Sequence, residues 1–430
     1  MSPMSSNSRR EFLRMLAASP VLPLLQLPPF MRQALAQEID PIGLSPATLK
    51  SLDEYGNTVD SAKDALNIFD LERTAQRKLH VGHNAYLAAA EDQATLRANR
   101  EGFKRYELRP RRLVDVSKTD MSVTLFGTKW PTPIILCPVG HQGAFHPEGE
   151  VAVARAAKSR KHIQTLSTVA TRSIEEVTAA RGAPVWHQLY RVADWNQTRA
   201  MVKRAEAAGS TVMAYTVDSQ GGAKRDIASR VRAHNAEFCQ TCHMLDPKWQ
   251  RSDAEGGFLE APPPMRATPP LGPPLIDKGS PTWDYVKRLK DATTMKVLIK
   301  GISTREDAEL AMEHGADGVW LSNHGGRAEN SGRSTVECIT EVVAGVAKRG
   351  PVIVDSGFRR GGDIFKALAL GATAVGIGRP YIWGLASFGQ EGVEAALDIL
   401  DTELKMVMQQ LGVTSLDAIG KGSIVDRARF

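Results

Sequence analysis

The residues most able to do chemistry cluster behind short apolar runs. In VWLSNHGGR (Val319–Arg327) a histidine, His324, stands three residues before an arginine, Arg327, in a glycine-containing turn. A neutral imidazole there can take a proton while the guanidinium grips a carboxylate with two parallel hydrogen bonds. That is the pair of tasks needed to oxidise a 2-hydroxy acid. A second segment, VDSGFRRGGDIFKALALGATAVGIGRP (Val354–Pro380), offers Asp355, Gly357, Arg359, Gly378 and Arg379 beside two tight turns. Backbone N–H groups and arginines in such turns hold a phosphate.

These groups must be positioned by something, and the chain past residue 130 alternates short apolar runs with amphipathic stretches. The runs are Ile134–Val139, Ile163–Ser167, Val185–Tyr190, Thr211–Val217, Val297–Lys300, Gly318–Ser322, Val352–Asp355 and Ala374–Ile377. Each reads as a buried parallel strand. Helical patterns such as Glu148–Ser159, Trp195–Ala208 and Thr335–Lys348 fall between them. With no dinucleotide fingerprint after the first strand, the pattern predicts an α/β fold: a (β/α)8 TIM barrel with an N-terminal helical extension. Reactive residues fall at the carboxyl ends of the strands, where such barrels keep their active sites: Gln188, Tyr190, Asp218, Lys300, His324 and Asp355.

The expected organisation is a leader over 1–36, a helical segment over 37–130 covering the barrel, and the barrel over 131–430, interrupted by a long Pro- and Gly-rich loop at about 233–281. The leader has Arg9-Arg10 followed by Phe12-Leu13, a short apolar stretch and a small-residue end at Ala34–Ala36. This is the pattern of a twin-arginine signal peptide, which predicts passage through the twin-arginine translocase and a periplasmic or secreted mature protein. Of the formal charge of +6, half belongs to the leader, which carries four arginines against one acid. The remainder is too mild to suggest a nucleic-acid partner. Four cysteines are too few for a disulfide framework in 430 residues. Cys137 and Cys338 read as buried small hydrophobes. Cys239, Cys242 and His243 form a C-x-x-C-H string inside the long loop. It is open to three readings: covalent c-type haem, a local disulfide, or a metal site using His234 or His243.

Over residues from about 75 to 425 the sequence resembles the FMN-dependent 2-hydroxy-acid dehydrogenase and oxidase family, which includes glycolate oxidase, lactate oxidase and lactate monooxygenase. The resemblance rests on ordered blocks: AEDQATLRANR, RPRRLVDVS, HPEGEVAVARAA, HQLY, TVD, KGISTREDAELA, SNHGGR and the phosphate segment. It implies FMN as cofactor and His324 as the base, with Asp218 stabilising the imidazolium. It further implies that Arg225 and Arg327 bind the substrate carboxylate and that Tyr190 hydrogen-bonds the substrate oxygen. Lys300 would sit at the flavin edge, where a fixed cation stabilises the reduced ring. Pro138, Val139, Gly140, Ser167, Gln188, Thr216 and Ser322 would line the flavin, and Asp355, Gly357, Arg359, Gly378 and Arg379 would hold ribityl and phosphate. This site reading contains no metal. The partners implied are a small 2-hydroxy acid, oxygen or a periplasmic electron carrier, and further copies of the chain in a homotetramer. An isomerase sharing only the phosphate loops is an alternative that His324, Arg327 and Arg225 argue against. A flavin-binding redox partner without turnover is another, motivated by one departure.

That departure is Ala85, which stands where the family has a substrate tyrosine. Tyr86 follows, but one step along a helix turns a side chain by about 100°, so Tyr86 is not expected to replace it. Val169 replaces an aromatic residue, and Gly140 stands where many oxidases have alanine, a choice shared with lactate monooxygenase.

Overall fold

The computed structural model describes residues 56–429 apart from 89, 193, 220–221 and 235–281. The leader and the C-x-x-C-H string therefore lie outside the described residues. The described chain opens with three helices, α1 (Ile68–Lys78), α2 (Val81–Tyr86) and α3 (Ala94–Glu101). The start of α1 is fixed by a capping box: the Asn67 side chain accepts from the N–H of Asp70, whose carboxylate reaches back to the N–H of Asn67.

Eight strands then close a parallel barrel: β4 (Ile134–Leu136), β5 (Ile163–Ser167), β6 (Trp186–Leu189), β7 (Val212–Thr216), β8 (Lys296–Ile302), β9 (Gly318–Leu321), β10 (Val352–Val354) and β11 (Ala374–Ile377). The last strand pairs with the first, Ile377 opposite Leu136, which closes the ring. Each falls within or on a predicted apolar run, and the predicted barrel is the observed one. Helices α4 (Gly149–Arg160), α5 (Ile174–Arg181), α6 (Trp195–Ala207), α7 (Asp226–His234), α8 (Asp284–Ala292), α9 (Arg305–Glu313), α10 (Thr335–Val346), α11 (Gly361–Ala369) and α12 (Arg379–Gln410) occupy the crossovers and the C-terminal flank. The strands' outward residues and the helices' inner faces share one large apolar cluster.

Inside the ring the side chains are layered. Ile135, Trp186, Ala214, Leu298, Trp320 and Ile353 belong to a separate interior cluster. Two residues further along the same strands, hence on the same face, stand Cys137, Gln188, Thr216, Lys300, Ser322 and Asp355. One step of the strand period thus separates an apolar floor from a polar mouth.

The stretch before the barrel departs from the helical expectation. Between α3 and the barrel it forms a short strand β1 (Tyr106–Leu108), paired antiparallel with β12 (Ile424–Asp426), and a hairpin of β2 (Val123–Leu125) and β3 (Thr128–Trp130). Leu125 is buried in the interior cluster, and Val123, Phe126 and Trp130 pack against it. The hairpin therefore plugs the floor with apolar side chains, a task a strand pair with one apolar face performs as well as a helix.

Candidate active site

The cleft at the carboxyl ends of the strands encloses about 1410 Å³ including its open mouth. Its geometry is set by the turn after β9. His324, Gly325 and Gly326 all have left-handed backbone, with φ of 59°, 67° and 72°. The turn is pinned by side chains: the N–H of His324 donates to Ser322 Oγ at 3.0 Å, and that of Gly325 to Ser356 Oγ at 3.0 Å. A Cβ at Gly326 would lie 2.8 Å from the backbone nitrogen of Leu96, so only glycine fits there. A non-glycine residue held left-handed stores strain on the order of 1–3 kcal/mol, a cost that clusters at functional sites.

His324 Nδ1 lies 3.0 and 3.2 Å from the two Asp218 oxygens, and Nε2 lies 3.3 Å from the Tyr190 hydroxyl. Asp218 accepts only, so Nδ1 carries a hydrogen and Nε2 is left with its lone pair toward the cleft. Burial works to raise the Asp218 carboxyl, but its interaction with the His324 ring, together with Lys300, outweighs it and leaves its pKa lowered. Asp218 is thus an anion at neutral pH, placed to stabilise a protonated imidazole. Burial, reinforced by the Asp218 charge, raises the Tyr190 phenol. Tyr190 remains a hydrogen-bond donor at neutral pH.

Beside this dyad, Lys300 Nζ lies 2.7 Å from Ser322 Oγ and 3.3 Å from Asp355 Oδ2. Ser322 Oγ in turn donates to Asp355 Oδ1 at 2.7 Å. Burial opposes the charge on Lys300, yet Asp355 and Asp218 prevail and raise its pKa. A cation is fixed there.

Arg225 and Arg327 face the same cleft. Arg225 Nε donates to the Arg327 carbonyl, and the Arg327 guanidinium sits 4.5 Å from the centre of the Tyr86 ring. Burial, with Arg225 as a neighbouring cation, lowers Arg327 to about 10. Across the cleft, Arg359 donates to the Phe358 carbonyl and stacks 4.5 Å from the Trp383 ring, while Arg379 donates to the carbonyls of Leu87 and Gly325. No acid within ion-pair distance offsets Arg359 or Arg379 among the described residues. Burial lowers Arg359 to about 10, and burial plus the repulsion of Arg327 and Arg359 lowers Arg379 to about 9. They stand where α12 begins, with Gly378 as its N-cap. A buried and a half-buried cation beside a helix N-terminus suit a multiply charged anion.

Of the residues singled out in the sequence, His324, Tyr190, Lys300, Arg225, Arg327, Pro138, Val139, Gly140, Ser167, Asp355, Gly357, Arg359, Gly378 and Arg379 line this cleft. Asp218, Gln188, Thr216 and Ser322 do not. They lie behind it: Gln188 donates to Thr216 Oγ1 at 2.8 Å and accepts from Ser167 Oγ at 3.1 Å. This buried network holds the lining strands in register.

Other residues to which the sequence assigned no site role also line the cleft, among them Tyr86, His141, Cys137 and Ser356. Tyr86 corrects an expectation: Ala85 is buried in the core while Tyr86, the last residue of α2, faces the cleft under Arg327. The helical turn between the two residues is what points Ala85 into the core and Tyr86 into the cleft. Cys137 is buried as expected, but it also reaches the cleft floor, its Sγ 3.8 Å from Asp355 Oδ2. The alternation of strand residues could have found it, since it lies two past Ile135.

The family pattern of FMN-dependent dehydrogenases matches residues 75–426. Glycolate oxidase 3 of Oryza sativa is 38% identical over 369 residues, covering 84% of this chain and 98% of its own. The 2-hydroxyacid oxidase of Dictyostelium discoideum is 36% identical over 389 residues, covering 89% and 96%. Among solved structures, a mandelate oxidase variant with (S)-mandelic acid superposes with a TM-score of 0.70 at 34% identity, covering 82% of this chain and 96% of that one.

Proposed function

The chain belongs to the FMN-dependent dehydrogenase family, and from that premise we propose that it oxidises an L-2-hydroxy acid, lactate-like in size, to the 2-oxo acid, with oxygen or a periplasmic carrier as the final electron acceptor. Its relatives are FMN-dependent 2-hydroxy-acid oxidases, and the chain is an oxidoreductase acting on CH–OH groups. The observation that carries the substrate reading is the convergence of His324 Nε2, Tyr190 Oη and the guanidinium of Arg327 on one cleft.

FMN fits the residues present. Arg359 and Arg379, neither with an acid within ion-pair distance among the described residues, match a phosphate, Asp355 can accept from ribityl hydroxyls, and Lys300 supplies a cation inside the barrel mouth. When bound, FMN supplies the two-electron acceptor that amino-acid side chains lack. Arg225 and Arg327 hold the carboxylate and thereby fix the orientation of the hydroxyl-bearing carbon. Tyr190 donates to the substrate oxygen. His324 takes the substrate proton at Nε2 while Asp218 balances the imidazolium. Pro138, Val139, Gly140 and Ser167 line the cleft where they would wall a bound FMN, with Gln188, Thr216 and Ser322 behind them.

The same reading includes export through the twin-arginine translocase and assembly as a homotetramer, supported by the leader's motif and by family resemblance. Signal-peptide cleavage and native mass are the measurements that check these. The catalytic proposal is tested by assaying 2-oxo acid formation from glycolate, lactate and mandelate, with and without oxygen. Formation of the 2-oxo acid from at least one is expected; none from any would refute it.

A further inference from the structure

Helix α3 is wedged between the turn that carries His324 and the loop that leads from Asp355 to Arg359. On one side the Leu96 backbone fills the space that a Cβ on Gly326 would need; on the other, a Cβ on the left-handed Gly357 would overlap the Asn99 carbonyl. Arg100, the next residue, donates to the Gly357 carbonyl and pairs with Asp363 at 2.7 Å. The helix therefore meets both loops through backbone, which has no rotamer to change. One pair of buried amides locks the arrangement. Asn99 Nδ2 donates to Asn323 Oδ1 at 2.9 Å, and Asn323 Nδ2 donates to Asn99 Oδ1 at 2.8 Å. Their remaining capacity goes to backbone. Asn323 Nδ2 also donates to the Arg333 carbonyl at 3.1 Å, Asn323 Oδ1 accepts from the Gly326 N–H at 3.1 Å, and Asn99 Oδ1 accepts from the Thr335 N–H at 3.2 Å. The two backbone N–H groups fix which end of each amide is oxygen, so neither side chain can flip without setting donor against donor. The Thr335 hydroxyl carries the network on to the Asp355 carbonyl at 2.6 Å.

We propose that Asn99 is a positioning residue for the reaction: through its amide pair with Asn323 it fixes the turn that presents His324 to the substrate. The turn needs such a clasp, because three successive left-handed residues, His324 to Gly326, belong to no helix or strand that would hold them. Neither amide lines the cleft, so any effect of Asn99 on the chemistry must pass through the turn. This rests on the 2-hydroxy-acid reading above.

The test places Asn99→Ala in two backgrounds, wild type and His324→Ala, each flavin-loaded and mixed with whichever of glycolate, lactate and mandelate reduces wild type fastest. In the wild-type background Asn99→Ala slows flavin reduction at saturating substrate by about 30-fold, with bound FMN per chain unchanged. In the His324→Ala background it slows reduction by less than about twofold, because the group it positions is gone. Equal factors in both backgrounds, or a wild-type-background rate within about twofold of the parent, overturn the assignment. Loss of FMN from Asn99→Ala also overturns it, by moving the role to the cofactor loop. A second measurement needs no turnover: amide hydrogen exchange over 323–327 quickens by about tenfold in Asn99→Ala, while that of β9 just before it stays as in wild type. Unchanged exchange over 323–327, or an equal rise in β9, overturns the positioning role. Should Asn99→Ala not fold, Asn99→Ser, which leaves room and polarity for a water in the amide's place, carries the same comparisons. If wild type oxidises none of the three acids the catalytic reading falls, and the exchange measurement alone decides whether Asn99 holds the turn.

Discussion

The floor and the mouth of the barrel are built from the same strands and behave as opposites. On β8, Leu298 belongs to the dry interior cluster, and Lys300, two residues on, pairs with Asp355. On β10, Ile353 stands below and Asp355 above; on β9, Trp320 below and Ser322 above. The floor is sealed by the hairpin carrying Leu125, with apolar contacts on every side. The mouth collects buried charges and three left-handed non-glycine residues, His141, His324 and Ser356. Burying charge and holding strained backbone both work against folding, so the mouth depends on the stability that the floor and the helix-facing core supply. Folding and chemistry are separated by one period of a strand.

If that separation is real, substitutions at the two ends should fail in different assays. The largest effect is expected from His324→Ala: flavin reduction by substrate slows by about 10³-fold or more, while the protein stays yellow and its unfolding midpoint is kept. A colourless protein would make His324 structural. Next, Arg379→Met weakens FMN binding by about 100-fold, close to 3 kcal/mol, through the lost charge-assisted hydrogen bonds, as read by flavin fluorescence titration. At the other end, Leu125→Ala lowers unfolding free energy in urea by about 2.5 kcal/mol, with kcat within about twofold of wild type. Loss of turnover without loss of stability would erase the distinction between floor and mouth.

The smallest effect belongs to neither end. His187 lies between Trp186 and Gln188 and so points away from the interior, and burial with Arg204 nearby lowers it to about 3. The folded protein keeps this imidazole neutral while the unfolded chain takes up a proton near pH 6.5, so stability is present above that pH and drains as pH falls toward 3. Between pH 8 and pH 5.5 wild type should lose about 1.4 kcal/mol more than His187→Leu, measured by urea unfolding at both values.

Much of the barrel was readable because its strands are short, wholly buried apolar runs ending in polar residues, a pattern with few structural solutions. His324, Lys300 and Asp355 were readable for the same reason, each standing at a strand end. The hairpin at Val123–Trp130 was missed because two three-residue strands leave too short an alternation to see. Tyr86 was misjudged because which face of α2 meets the cleft is set by how the helix packs on the barrel, and a six-residue helix is too short for its periodicity to reveal that face.

The central claim, that the mouth of this barrel oxidises 2-hydroxy acids, is tested most directly by an anaerobic titration of the flavin-loaded protein with lactate, glycolate and mandelate in turn. Bleaching of the flavin's visible absorption by at least one of them, with one 2-oxo acid formed per flavin reduced, is the predicted result. A flavin that stays oxidised with all three would contradict it.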